Sequence, residues 1–287
     1  DNQDTLEAIF REAPVDIVTH CEDTQTIIEN EKAIIAQYGE DIDARFHPRI
    51  RDAASCLKSS QLAYDLATKH GSNLHILHLT TADEMKLFTE GEITDKKITA
   101  EVCVHHLFFS EADYETRGNF IKCNPSVKSE QDRLALIDAV QKNKIDIIAT
   151  DHAPHTLEEK QQPYLQAPSG LPLNQHSLLV LLDFYNKGIF TLEQIVQKTS
   201  HNIAERFQIK DRGYIREGSF ADLVIVDLSA NTLVTNENIL YHCGWSPFMD
   251  YTFPAAVVHT IINGEIVFED GVLKEQLPIG SRIEFNR

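Results

Sequence analysis

The sequence has no long hydrophobic run and few basic residues, and each shortage excludes a class of protein. No apolar stretch approaches the roughly 18 residues that a membrane-spanning helix needs, so we expect no membrane partner. The 26 Lys and Arg residues are outnumbered by 44 Asp and Glu residues. The resulting formal net charge of −18 argues against nucleic acid as a partner and indicates a well-solvated exterior.

Cysteine is scarce as well. The five cysteines are odd in number and no two of them form a C-x-x-C pair, so we interpret them as reduced thiols in or near the core of a cytoplasmic protein. A hydrophobic content of 42% and a charged content of 24% are ordinary for a soluble enzyme. At 287 residues, the chain can form one large α/β domain and a small one. The cysteines are Cys21, Cys56, Cys103, Cys123 and Cys243.

Residues 145–155 carry the strongest functional signal in the chain. A short run rich in isoleucine leads directly into Asp151, two histidines follow, and Pro154 ends any regular structure. Such a run predicts a buried parallel strand and the loop that follows it, which is where α/β folds bind ligands. A carboxylate beside imidazoles suits a divalent metal or general base catalysis. The alternative is a helix-capping aspartate with loop histidines.

Strands and helices alternate in the first part of the chain, which predicts a parallel sheet with crossover helices. Three of the four predicted strands end on His20, His78 and Asp151. A barrel builds a metal site from ligands that arrive singly at the ends of different strands, although one histidine at a strand end is commonly structural. The predicted strands are 15–20, 73–79, 97–103 and 145–151. The predicted helices are 1–10, 24–36, 53–70 (ended by Gly71), 81–90 (capped by Thr81) and 129–142.

The pattern changes after a last predicted helix at 191–207. Turn glycines followed by a strand occupy 213–227, and 255–268 is typical of a hairpin with a type I′ turn at Asn263-Gly264. Between them, 241–248 predicts an irregular loop. We therefore expect a first domain at residues 1–207 and a small β domain with a C-terminal tail at 208–287.

Several of these segments together resemble the amidohydrolase superfamily, and within it the dihydroorotases, over nearly the whole chain. Asp151-His-Ala-Pro-His155 is similar to the dihydroorotase form of the last metal-ligand motif. Thr19-His-Cys-Glu-Asp23 and His78-Leu-Thr-Thr81 resemble the strand-end histidine motifs. Cys123-Asn-Pro-Ser126 resembles the segment that contacts substrate, and the glycine pattern of 213–223 is shared by most amidohydrolases.

The resemblance implies an α/β fold made of the second half of a metal-dependent (β/α)8 TIM barrel and a small β-sandwich-like composite domain. The four strand–helix units resemble the fifth to eighth of that barrel. We therefore expect 15–20 and 145–151 to be the outer strands of an incomplete sheet, and the chain to be part of a longer protein. The implied partners are a small-molecule substrate and further copies of the chain in a homo-oligomer.

By the same resemblance, His20 and His78 bind the more exposed of two Zn²⁺ ions and Asp151 binds the more buried one. Zinc supplies the activated water that hydrolysis of a cyclic amide needs at neutral pH. Asp151 takes the proton of this water and delivers it to the leaving ring nitrogen. Asn124 and His155 hold the substrate, whose carboxylate accepts from the imidazole. The implied reaction interconverts N-carbamoyl-L-aspartate and L-dihydroorotate in pyrimidine biosynthesis.

Two features of the family are missing. No His-x-His motif occurs in the chain, and the ligand that bridges two metals, a carboxylated Lys or an Asp, is not recognisable. Residues 167–176 also depart from the Gly-Leu-Glu-Thr stretch of many members, which leaves contacts to the pyrimidine ring open. Two alternatives therefore remain: a catalytically inactive scaffold for a partner such as aspartate carbamoyltransferase, and a hydantoinase- or allantoinase-type enzyme.

Alternatives remain for single histidines too. His155 could be a loop-surface residue, and His152 either supports the ligands or merely neighbours them. His75 is expected in the core or behind the ligands. For His105 and His106, packing or polarity on the substrate side is favoured over ligation. The histidines interpreted as surface or capping residues are His47, His201 and His242.

Overall fold

The computed structural model describes residues 3–274 and 280–286, and the chain divides into two compact units, 1–174 and 175–287. The first unit contains a parallel sheet and the second an antiparallel one. The predicted α/β class with a parallel sheet is thus confirmed. In the described part of the chain, no helix is both long and apolar enough to cross a membrane. Residues 1–2 of the first predicted helix, and 275–279 and 287 of the predicted tail, lie outside the described residues.

Four short strands form the sheet of the first unit, in the order β1-β2-β3-β4. The outer strands are the ones that the sequence predicted. Leu74 and Ile76 of a central strand are fully buried, as expected for a parallel strand covered on both faces, whereas Val18 of an outer strand is 46% exposed. The strands are β1 (Ile17–Thr19), β2 (Leu74–Ile76), β3 (Ile98–Cys103) and β4 (Ile147–Ala149).

The register brings the carboxyl ends of these strands to one edge of the sheet. Thr19 pairs with Ile76, and Ile76 pairs with Ala100. β3 continues for three more residues, and its last residue, Cys103, pairs with Ala149. The side chains that directly follow each strand therefore gather at this edge.

The longest described helix of the first unit begins and ends where local signals predict. In α4 (Ala53–His70), the Asp52 carboxylate accepts from the amide of Ser55, and Gly71 takes the left-handed conformation that ends a helix. The other helices are α1 (Gln3–Glu12), α2 (Thr24–Tyr38), α3 (His47–Ile50), α5 (Val104–Phe108), α6 (Tyr114–Arg117), α7 (Glu130–Gln141) and α8 (Leu157–Lys160).

The helix predicted at 81–90 was wrong, because this segment contains only a 3-10 turn at Glu84–Lys86. Thr81 and Glu84 do exchange the hydrogen bonds of a capping box. However, Glu84 is only 2% exposed, and its carboxylate also accepts from the amide of Thr80 and the hydroxyl of Ser60. A buried carboxylate with these partners fixes the loop that follows β2 to α4 instead of starting a surface helix.

The second unit begins with helices. The predicted helix at 191–207 is present as two α-helical segments joined by a π-helical turn at Gln197–His201. The helices are α9 (Ser177–Asn186), α10 (Leu192–Val196) and α11 (Asn202–Arg206).

The antiparallel sheet of the second unit has the order β10-β9-β8-β5. The predicted hairpin turns at Asn263 and Gly264, whose φ angles of 51° and 87° are both positive, as a type I′ turn requires. The predicted loop at 241–248 contains no helix or strand. The strands are β5 (Leu223–Asp227), β8 (Ala256–Ile262), β9 (Glu265–Glu269) and β10 (Val272–Leu273), and β6 (Thr232–Leu233) pairs with β7 (Thr252–Phe253).

Candidate active site

The two predicted histidine ligands are in direct contact. His20 follows β1, His78 lies two residues beyond β2, and Nδ1 of His20 is 3.1 Å from Nε2 of His78. Their rings meet edge to face with centroids 4.8 Å apart. A tetrahedral zinc ion with Zn–N bonds of about 2.0–2.1 Å holds two imidazole nitrogens about 3.3–3.4 Å apart. The pair therefore fits two ligands of one metal ion.

His78 and Asp151 both adopt left-handed backbone conformations, with φ angles of 36° and 49°. This conformation costs about 1–2 kcal/mol for a residue with a Cβ atom, although aspartate tolerates it better than most residues. Such strain persists only where the surrounding structure holds the residue in place, and it concentrates at functional sites. Among the eight described non-glycine residues with a positive φ angle, these two lie two residues beyond strands of the parallel sheet, which supports them as functional candidates.

Burial keeps the His78 imidazole neutral, which is the form that binds metal. His78 is 5% exposed, and burial together with the neighbouring His20 lowers its pKa. Asp151 opposes this shift in the pKa of His78, so its charge lies within electrostatic reach. Among the described residues, His20, His78 and Asp151 do not form a group whose ligand atoms all lie within 4.8 Å of one another. Ligands of two different ions about 3.5–4 Å apart need not converge so closely.

Glu22 lies behind His20. Its Oε2 atom is 3.1 Å from Nε2 of His20 and 2.5 Å from Nη1 of Arg51. Burial acts to raise the pKa of the Glu22 carboxyl, but contacts with His20, Arg51 and Lys128 outweigh it, so the pKa lies below its usual value. His20 thus has an ionised carboxylate at one ring nitrogen and His78 at the other.

Asn124, the predicted substrate residue, lies on a loop that is tied down from both sides. Nε2 of His47 donates to the Cys123 carbonyl at 2.7 Å, and the Ser126 hydroxyl donates to the Arg51 carbonyl at 2.9 Å. The Oδ1 atom of Asn124 is buried and has no hydrogen-bond partner. An amide oxygen in this state can accept an N–H group of a ligand.

The interpretation of His47 as a surface or capping residue was wrong. His47 is 2% exposed, and its Nδ1 atom accepts from the Tyr164 hydroxyl at 2.8 Å. Burial lowers the pKa of His47 well below its usual value, so the ring is a neutral structural group. Nothing in the local sequence marks it, because both of its partners are distant in the chain.

His152 and His155 hold the loop that follows β4. Nδ1 of His152 accepts from the Leu173 amide at 2.9 Å, and Nε2 of His155 donates to the Ser169 carbonyl at 3.1 Å. The structure thus gives both histidines a role in the loop. The predicted contact of His155 with substrate remains a prediction.

Two buried lysines, which sequence reasoning missed, hold the same loop. Nζ of Lys160 donates to the carbonyls of Lys122, Pro168 and Gly170 at 2.9–3.2 Å, and burial lowers its pKa to about 7. Nζ of Lys122 donates to two further loop carbonyls, at 2.6 and 2.7 Å, and burial lowers its pKa to about 8. The density of Pro and Gly in 163–172 is the signal that could have revealed such a loop, because its carbonyls lack regular partners.

Gly170 lets the two sides of this loop approach each other. Its φ angle is 141°, and a Cβ atom at this position would lie 2.5 Å from the Ala153 carbonyl oxygen. Only glycine fits such a contact. Residues 167–176, which depart from the family pattern, thus include one position, 170, where the backbone requires glycine.

A second group of candidate ligand atoms follows β3. In the part of the chain that the structure describes, one ligand atom each from Cys103, His105 and His106 lie within 4.8 Å of one another. All three residues are buried, which agrees with the expected packing role of the two histidines. Burial lowers the pKa of His105 to about 3 and raises the pKa of the Cys103 thiol well above its usual value. These donors are of types that bind zinc, and we name them the Cys103 group.

The chain is similar in sequence to one protein family and to curated members of it. The model of the amidohydrolase family matches residues 1–267. The dihydroorotase of Pyrococcus furiosus is 32% identical over 250 residues, which cover 87% of this chain and 58% of that protein. The dihydroorotase of Pyrococcus horikoshii is 34% identical over 278 residues, which cover 97% of this chain and 60% of that protein.

Solved structures show the same fold. An L-hydantoinase (dihydropyrimidinase) from Arthrobacter aurescens has a TM-score of 0.88 at 26% identity, covering 99% of this chain and 64% of that one. A D-hydantoinase from Bacillus sp. AR9 has a TM-score of 0.84 at 20% identity, covering 96% of this chain and 62% of that one, which shows likeness of fold alone. The chain thus spans about 60% of the length of the curated relatives it matches. Because the family model extends across the parallel sheet, its strand-end histidines and most of the second unit, the chain belongs to the amidohydrolase family.

Proposed function

We propose that the protein containing this chain is a zinc-dependent cyclic amide hydrolase, a dihydroorotase, that interconverts N-carbamoyl-L-aspartate and L-dihydroorotate. The observation that carries the proposal is the 3.1 Å approach of His20 Nδ1 to His78 Nε2 at the ends of adjacent parallel strands. The dihydroorotases that are 32% and 34% identical to the chain support this choice of substrate.

His20 and His78 would hold one zinc ion with their facing nitrogens, and Asp151 would hold the second. When bound, zinc lowers the pKa of water and polarises the scissile carbonyl. The His-x-His pair and the bridging ligand of the family have no counterpart among the 287 residues. The proposal therefore covers only the metal ligands and substrate contacts that these 287 residues supply.

Asp151 would move the proton. Its carboxylate is exposed at the edge of the sheet, where it can take a proton from the attacking water and return it to the ring nitrogen. The unpaired Oδ1 atom of Asn124 would accept a ring N–H of the substrate. His155 would donate to the substrate carboxylate, which requires that its contact with the Ser169 carbonyl open.

A hydantoinase is the second candidate, and the L-hydantoinase from Arthrobacter aurescens favours it with a TM-score of 0.88. The two functions differ in the group on the ring. Dihydroorotate carries a carboxylate, whereas hydantoin and dihydrouracil carry none, so a dihydroorotase needs a donor such as His155 that a hydantoinase does not.

The test is an assay of the complete protein with dihydroorotate, dihydrouracil and hydantoin. We expect turnover of dihydroorotate, and a loss of at least about 100-fold in kcat for Asp151→Asn, because general base catalysis contributes about 10²–10⁴-fold. Glu158→Gln, a change at an exposed carboxylate of α8, is the matched control and should leave kcat unchanged. Turnover by Asp151→Asn within tenfold of wild type would show that Asp151 is not the base.

The same assay tests the substrate. His155→Ala is expected to raise KM for dihydroorotate more than for dihydrouracil, because only the first substrate presents a carboxylate. Equal changes for both substrates would show that His155 does not contact the carboxylate. Faster turnover of hydantoin than of dihydroorotate by the wild-type protein would favour the second candidate.

A further inference from the structure

The two ring nitrogens of His20 have different neighbours. Nε2 lies 3.1 Å from Oε2 of Glu22, whose side chain is 2% exposed, and Nδ1 lies 3.1 Å from Nε2 of His78. The same Oε2 atom also accepts from Nη1 of Arg51, and a guanidinium group can only donate, so this oxygen serves as an acceptor on both sides. Nε2 of His20 is therefore the donor to Glu22, and in the tautomer with its proton on Nε2 the lone pair of Nδ1 is directed at His78.

We infer that Glu22 is a positioning residue that fixes the tautomer and the ring orientation of His20 for metal binding. Metal-binding histidines commonly donate their other ring N–H to a carboxylate, and loss of that partner costs 10–100-fold in metal affinity. The inference rests on the proposed role of His20 as a zinc ligand.

Arg51 holds Glu22 in this orientation. Its Nη1 atom lies 2.5 Å from the same Oε2 atom that faces His20, so the carboxylate is held between a cation and the imidazole. The backbone carbonyl of Arg51 accepts from the hydroxyl of Ser126, two residues beyond Asn124. One residue thus supports both the candidate metal ligand and the candidate substrate loop.

Two other histidine–carboxylate pairs among the described residues differ from this arrangement. Glu101 lies 3.1 Å from Nε2 of His75, but Nδ1 of His75 is hydrogen-bonded to the Thr99 hydroxyl in the core. Glu7 lies between Nε2 of His70 and the ammonium group of Lys69, which repeats the pairing of Glu22 with an imidazole and a cation. Since none of the other described histidines contacts His70, Glu7 is a matched control.

The experiment is long-range ¹H–¹⁵N NMR of the histidine rings in the metal-free 287-residue chain at about pH 8, where histidines are neutral. His20→Gln identifies the resonances of His20. We expect wild-type His20 to carry its proton on Nε2, Glu22→Met to lose this preference, and Glu22→Gln, which keeps an acceptor oxygen, to retain most of it. Glu7→Met should leave His20 unchanged.

Zinc titration of the same variants, made in the complete protein, is the second measurement. Affinity is expected to fall about 10–100-fold in Glu22→Met, less in Glu22→Gln, and not at all in Glu7→Met. If Glu22→Met does not fold, the wild-type spectrum still decides, because a proton on Nδ1 of His20 overturns the inference.

The zinc titration distinguishes an error in the positioning role of Glu22 from an error in the proposed metal site. Zinc that binds the complete wild-type protein through His20 with unchanged affinity in Glu22→Met overturns the positioning role alone. Zinc that does not perturb His20 in the complete wild-type protein overturns the proposed metal site, and the positioning inference with it.

Discussion

Two groups of histidines follow neighbouring strands of the same parallel sheet, and they differ in their surroundings. The His20–His78 pair has a carboxylate behind it, and the side chain of His20 is 44% exposed. The Cys103 group is fully enclosed, and both ring nitrogens of His105 lack a hydrogen-bond partner. The His20–His78 pair therefore has possible metal ligands, a carboxylate in contact with His20 and access to solvent. The Cys103 group has possible metal ligands but no access to solvent.

Closeness of donor atoms is only one requirement of a metal site, because the donors must also reach the protonation state that binds the ion. A thiol must lose its proton to bind zinc, and burial opposes this for Cys103, whose pKa is raised. A catalytic site must also admit water and substrate, which the exposure of His20 and Asp151 allows. By both criteria the pair is the better candidate for catalysis.

The largest expected difference between the two groups is in zinc affinity. His78→Asn should weaken zinc binding by the complete protein about 100–1,000-fold, because a zinc site's binding free energy of about 10–16 kcal/mol is shared among about four ligands. His105→Leu should leave the affinity unchanged. Titration against a chromophoric chelator measures both values. A comparable loss in His105→Leu would make the Cys103 group part of the metal site.

A second prediction compares two buried histidines in their effect on the free energy of unfolding. His47→Leu should destabilise the chain by about 2–4 kcal/mol, because Tyr164 and the Cys123 carbonyl each lose a partner. His105→Leu should be nearly neutral at pH 7, since its ring nitrogens have no hydrogen bonds to lose. Urea unfolding followed by circular dichroism measures both changes. Strong destabilisation by His105→Leu would indicate a partner in the Cys103 group, such as a structural metal.

The smallest expected effect is on the pH dependence of stability. The pKa of His105 is about 3 in the folded chain and about 6.5 when unfolded. As pH falls below about 6.5 the unfolded state takes up the proton first, so this residue lowers stability by about 1.4 kcal/mol per pH unit. His105→Leu should remove about 2 kcal/mol of the stability difference between pH 7 and pH 5. Identical slopes for variant and wild type would show that His105 is not held neutral.

The parts of the fold that the sequence predicted are those with local causes. Periodicity and terminal residues mark α4, and Asn263-Gly264 marks its hairpin, because the helix cap and the turn each depend on a few adjacent residues. The strand ends at His20 and His78 follow from the same local pattern. Their contact follows from the parallel register of β1 and β2.

What the sequence could not predict depends on distant partners. His47 is buried by contacts with residues 76 and 117 positions away. Glu84 has the spacing of a helix cap, but the hydroxyl of Ser60 in α4 draws it inward. Lys160 follows two glutamates, as a surface lysine would, and is buried because a loop without regular structure surrounds it with carbonyls.

The left-handed backbone conformation of His78 lowers the stability of the fold at a residue that is a candidate metal ligand. Histidine occupies a conformation there that asparagine and glycine adopt more readily, at a cost of about 1–2 kcal/mol. Selection for thermal stability alone would therefore favour replacing this candidate ligand, and a stabilised library of the chain should accumulate Asn or Gly at position 78. Retention of histidine under such selection would require that metal binding be selected together with stability.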